Sequence, residues 1–134
     1  MGKLTTIEGV GPVIANQLKG AGIGSTDTLL KAGATSAGRR VLAQKARLDE
    51  GRVLKFVNHA DLMRVKGVGG EYAELLEVSG VDSVPELANR NAEILARRMA
   101  DENKRRKLVR AVPSAKVVTK WVSQAQRMTR VVTH

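Results

Sequence analysis

Two glycine triplets are the residues whose spacing most invites chemistry: Gly9-Val10-Gly11, followed by Pro12-Val13, and Gly67-Val68-Gly69. Glycine reaches backbone angles closed to other residues and leaves no side chain in the way of a close approach. Each triplet can therefore reverse the chain in very few residues, with Val10 or Val68 turned into the core. Neither is a dinucleotide-binding fingerprint, because no strand precedes the triplet and no third glycine follows at the proper place.

Other chemistry is sparse. The chain has no cysteine, which excludes disulfides, a redox pair and thiolate-bound zinc, and His59 and His134 are its only histidines. The acidic pairs Asp49-Glu50 and Asp101-Glu102 lie near predicted helix ends, where capping and solvation explain them. No nucleophile elbow, phosphate-binding NTPase loop or HExxH motif is present. The expectation is a protein without catalytic residues, cofactor or metal.

Basic residues are the remaining candidates. The net charge is +10 over 134 residues, which favours a polyanionic partner. It is unevenly spread: +1 over residues 1–34, +5 over 35–66, −5 over 67–93 and +9 over 94–134. Arg39, Arg40, Lys45 and Arg47 form one cluster. Arg97, Arg98, Lys104, Arg105, Arg106 and Lys107, with Arg110, form the densest.

The elements that must position these groups come in two copies. Residues 7–15 recur as residues 65–73 at an offset of 58, which also pairs Leu18 with Leu76, Gly22 with Gly80, Ser25 with Ser83 and Arg39-Arg40 with Arg97-Arg98. Further on the offset is 65, pairing Phe56 with Trp121 and Met63 with Met128. The second copy has gained seven residues, and Asp101–Lys107 is the expected place. Gly22 and Gly80 read as helix C-terminal glycines. Ser25, Ser83, Asn91 and Ser114 read as N-caps, with Ser83 and Glu86 forming a capping box. Apolar spacing over 53–63 and 117–128 describes two helical faces, with Phe56 and Trp121 as core residues. No segment alternates as a strand. The fold class is all-α in two pseudo-repeats, residues 1–58 and 59–134.

The pattern apolar-x-Gly-Val-Gly-x-x-x-Ala-x-x-Leu, present twice, resembles the helix-hairpin-helix motif. That resemblance implies that hairpin N–H groups at the start of the second helix bind a phosphate of duplex DNA, with little sequence preference. The physics is that of a helix N-terminus, where unpaired N–H groups and the dipole favour negative charge, and phosphate contacts carry no sequence information. The whole chain is also similar to a bacterial family catalogued as a domain of unknown function built of duplicated helix-hairpin-helix units. Ile7–Pro12, Leu29–Thr35, Val57-Asn58, Ala60–Arg64, Gly80–Asp82, Arg90-Asn91 and Arg130–Thr133 carry that likeness.

The reading is a cytoplasmic, non-enzymatic protein that binds duplex DNA. Gly9, Val10, Gly11 and Val13 would hold a phosphate, while Arg39, Arg40, Arg97, Arg98, Lys104, Arg105, Arg106 and Lys107 neutralise others. Gly67, Val68 and Gly69 have a weaker claim, since Glu71 and Glu74 compete for the same N–H groups. The rival is an adaptor whose hairpins and acidic 67–93 surface contact a protein. No apolar run reaches the roughly 20 residues of a membrane span.

Overall fold

Residues 2–134 are described by the computed structural model, and every regular element among them is helical. After a 3-10 turn at Leu4–Thr6 come α1 (Pro12–Gly20), α2 (Thr26–Ala32), α3 (Ser36–Ala46), α4 (Glu50–Leu62), α5 (Gly70–Val78), α6 (Val84–Ala88), α7 (Ala92–Arg106) and α8 (Ala115–Gln126). The chain forms two compact units. The first runs to Asp61 and takes back Val131–His134; the second is Leu62–Arg130.

Each unit begins with the same hairpin. In the first, the Val10 amide donates to Ile7 O at 3.1 Å across a four-residue turn whose third residue, Gly9, has φ 90°. In the second, Val68 N donates to Val65 O at 3.0 Å, and Gly67 has φ 96°. A turn with positive φ at its third position selects glycine there. A Cβ at Gly9 would stand 3.5 Å from Cε1 of Phe56, and one at Gly67 would stand 3.0 Å from Nε1 of Trp121. The hairpin thus rests on the buried aromatic of its own unit, while Val10 and Val68 point inward.

The helix after each hairpin ends in the same way. Ile23 N donates to Leu18 O and Gly22 N to Lys19 O, both at 2.9 Å; Val81 N donates to Leu76 O at 2.9 Å and Gly80 N to Glu77 O at 3.0 Å. With φ of 89° at Gly22 and 94° at Gly80, these are Schellman closures. Ser25, Ser83, Asn91 and Ser114 each accept from the amide three residues on, as does Thr35, whose cap the sequence reading did not single out. The reciprocal capping box is formed by Ser25 and Thr28. At Ser83 only half of the expected box exists: the Glu86 amide is capped, but the Glu86 carboxylate lies 4.0 Å from Arg90. Asp82 beside it, together with partial burial, raises the Glu86 carboxyl above its ordinary value.

The seven residues gained by the second copy are divided between two places. Helix α7 has 15 residues where α3 has 11, and the α7–α8 connection is longer than that between α3 and α4. The added loop is held at two points. The Asn103 side chain exchanges two 3.0 Å hydrogen bonds with the backbone of Val109, and Tyr72 Oη donates to Ala111 O at 2.9 Å.

This shift of helix phase breaks one sequence correspondence. Arg39 is the fourth residue after its N-cap Thr35, whereas Arg97 is the sixth after Asn91, so the two arginines face different surroundings. Arg39 is only 6% exposed. It donates to Gly33 O at 2.8 Å and to Thr133 O at 2.9 Å. The C-terminal residues are fixed further by Thr133 N on Ala34 O at 2.8 Å and by the His134–Asn58 side-chain bond at 2.8 Å. The division expected at residue 58 therefore differs from the observed units in its end point and in this returning segment.

Packing in both units is mainly aliphatic. Leu18, Leu29, Val53, Phe56 and Val57 are buried in the first unit, and Leu75, Leu76, Leu87, Met99 and Val118 join Trp121 in the core of the second, with Tyr72 packed against it. A fully buried side chain of this kind contributes about 1.5–3 kcal/mol.

Candidate functional site

The first hairpin delivers its backbone donors directly to solvent. Gly11 is the N-cap of α1, with extended angles and no side-chain cap, and Pro12 opens the helix. The first helical bond is Ala15 N to Gly11 O at 2.9 Å. The amides of Gly11, Val13 and Ile14 therefore take no hydrogen bond among the described residues. Nothing lies within 4 Å of a Cβ built on Gly11, and Val13 is 73% exposed. Helix α1 is braced from behind: Gln17 Nε2 donates to Ala46 O and Arg47 O at 3.0 and 3.2 Å.

A cation that sequence reading overlooked is held on the aromatic against which this hairpin rests. The Arg52 guanidinium lies over the Phe56 ring, 5.8 Å from its centre, and Phe56 is the residue on which Gly9 rests. A guanidinium at that range is held to the ring face by cation–π attraction. The i, i+4 spacing of Arg52 and Phe56 on one helix was the available signal.

The second hairpin has the same backbone but different electrostatics. Gly69 caps α5 with no side chain near it, and Gly70 keeps the N–H that Pro12 lacks. By count of donors it is the better anion site, by one hydrogen bond worth about 1 kcal/mol. Charge differs as well. Glu71 occupies the first turn, where the first hairpin has Val13. At the offset that pairs Phe56 with Trp121, Arg52 is matched by Val117, 38% exposed. A carboxylate in the first turn competes with an anion for the free amides, and the cations that border Glu71, Lys107 and Arg110, belong to the loop after α7.

The basic residues separate into three groups. Arg39 is buried and spent on carbonyls, so it leaves the set of phosphate contacts. Arg105 and Arg106 are held by Glu102, at 2.5 and 3.0 Å, and Arg40 stands 3.8 Å from Glu50. The Arg106 hydrogen bond, with the charges of Arg105 and Arg98, keeps the Glu102 carboxyl below its usual value. Arg97, Arg98, Lys104 and Lys107 are exposed and make no ion pair among the described residues. His59 is fully buried. No helix among the described residues is long and apolar enough to cross a membrane.

Over residues 8–128 the chain matches the family described as a domain of unknown function (DUF4332). No curated protein and no solved structure matches it significantly.

Proposed function

The chain belongs to the DUF4332 family of domains of unknown function, and we propose that it is a tandem helix-hairpin-helix protein that binds duplex DNA through the first hairpin. The amides of Gly11, Val13 and Ile14 take one backbone phosphate. Arg52 supplies the neighbouring charge and Arg40 a further one, while Arg97, Arg98 and Lys104 are the exposed cations that the second unit can offer to a polyanion. Gly9 and Val10 shape the turn without touching the ligand. The second hairpin (Gly67, Val68, Gly69) is structural, because Glu71 brings a carboxylate into the first turn of its helix.

The observation that carries this reading is the uncapped, unobstructed start of α1, with Arg52 held on the Phe56 ring that Gly9 of the same hairpin approaches. Binding of this type is sequence-tolerant. It loses affinity with salt at a slope of about −0.9 per neutralised phosphate, so four to six contacts weaken it by roughly a hundredfold or more between about 50 and 200 mM. Anisotropy of labelled duplexes of unrelated sequence, titrated at several salt concentrations, tests it; no binding at low salt overturns it.

A second reading has one observation of its own. Val41 is half exposed in an apolar depression of about 330 Å3 with Ile23, Ala32, Ala37 and Leu42, a surface suited to a protein partner. Failure of duplex binding would transfer the function to an adaptor of this kind.

A further inference from the structure

The loop gained by the second unit borders an open cavity for which the duplex reading has no use. Between the start of α5 and residues 107–111 lies a cavity of about 610 Å3, inside the range of roughly 300–1,000 Å3 typical of small-molecule sites. In the first unit only Leu48 and Asp49 follow Arg47 before α4 begins, too short a connection to wall such a space.

The cavity is built before any ligand arrives. Asn103 fixes Val109 through two hydrogen bonds, and the Tyr72 hydroxyl fixes Ala111, so the loop is tied to both α7 and α5. Its lining pairs two cations, Lys107 and Arg110, with the Tyr72 ring, Leu108 and the carboxylate of Glu71. Both cations are exposed, and neither has an ion-pair partner among the described residues. Lys107 also sits in the left-handed region, φ 52°, which costs an L-residue about 1–2 kcal/mol. Arg47 takes the same conformation, φ 57°, at the end of α3, so a left-handed residue closes this helix in both units, and only in the second does its side chain line a cavity of this kind.

We propose that this cavity binds a small phosphorylated ligand with a flat ring, of the nucleoside monophosphate class. Lys107 and Arg110 take the phosphate, Tyr72 and Leu108 flank the ring, and Glu71 accepts from an amino or hydroxyl group. The site lies wholly within the second unit, so it does not rest on the duplex reading.

The test is titration of the full chain with adenosine monophosphate, adenosine and inorganic phosphate. Backbone amide chemical shifts and the fluorescence of Trp121, whose ring centre is 5.3 Å from that of Tyr72, are the readouts. The monophosphate shifts the amides of Glu71, Tyr72 and 107–111 to saturation, and each fragment alone binds at least about tenfold more weakly. K107G and R110A each raise its dissociation constant at least about fivefold. K107G removes the strained residue and so keeps or raises the melting temperature, which separates lost binding from lost folding. G11E, which addresses only the duplex reading, leaves monophosphate binding unchanged. The proposal is overturned by no saturable shift up to about 5 mM, by shifts confined to residues 9–14, or by wild-type affinity in both K107G and R110A.

Discussion

The Arg52 guanidinium stands 5.8 Å from the centre of the Phe56 ring, and through that ring it is tied to the first hairpin. Arg52→Gln keeps most of the side-chain length and removes the charge. Duplex affinity is expected to fall about threefold to tenfold, roughly 0.7–1.4 kcal/mol, with the salt slope shallower by about 0.9. Stability changes by no more than about 1 kcal/mol, the scale of an exposed cation–π pair. Anisotropy at three salt concentrations, with a denaturation curve for each protein, checks all three.

The two glycines of a hairpin differ in what they do, although sequence treats them alike. Gly67 has positive φ, and a Cβ there meets buried Trp121 at 3.0 Å; Gly69 has extended angles and open space. Gly67→Ala is therefore expected to destabilise by about 2 kcal/mol or more, and Gly69→Ala by less than about 0.5 kcal/mol. Chemical denaturation of the two variants decides it, and near-equal values would contradict the assignment.

Arg39 and Arg97 provide the matching contrast among the cations. Arg39→Ala leaves the Gly33 and Thr133 carbonyls without their donor and is expected to cost about 2–4 kcal/mol of stability. Arg97→Ala stays within about 0.5 kcal/mol. If Arg39 instead contacted DNA, its loss would lower the salt slope of a protein whose stability is unchanged.

These residues show which features are legible in sequence. Gly9, Gly22, Gly67 and Gly80 could be picked out because a positive φ is a local demand on residue type. Phe56 and Trp121 were legible because a wide apolar stripe repeats at helical spacing. The Arg39-Arg40 pair looks the same as Arg97-Arg98, and only the phase of α3 and the distant return of Thr133 turn one member inward. The Glu86 capping box failed for a local reason: Asp82 and Arg90, four residues to either side, compete for its carboxylate. Arg52 went unread because its role depends on which turn Phe56 supports.

The pairing of Glu102 with Arg105 and Arg106 makes a signed prediction. Its carboxyl titrates below the ordinary value in the folded chain, so its stabilising contribution is complete above the unfolded-state value near 4.5 and is lost as pH falls through the depressed folded value. The melting temperature of the wild-type protein should exceed that of Glu102→Gln at pH 7, and the difference should close as pH is lowered below about 4. A difference that is constant or widens on acidification would contradict the ion-pair account.

The most direct measurement compares Gly11→Glu with Gly69→Glu in duplex binding. Neither position has positive φ and neither has an atom within 4 Å of a new Cβ, so both variants should retain the wild-type helical circular dichroism and melting temperature. Gly11→Glu places a carboxylate where the phosphate docks and should reduce affinity by more than about tenfold, roughly 1.4 kcal/mol. Gly69→Glu, beside Glu71, should reduce it by less than about twofold. Equal losses in two folded variants would show that both hairpins grip DNA, and a larger loss at Gly69 would show that the second hairpin is the binding one. Either result would contradict the assignment of the phosphate site to the first.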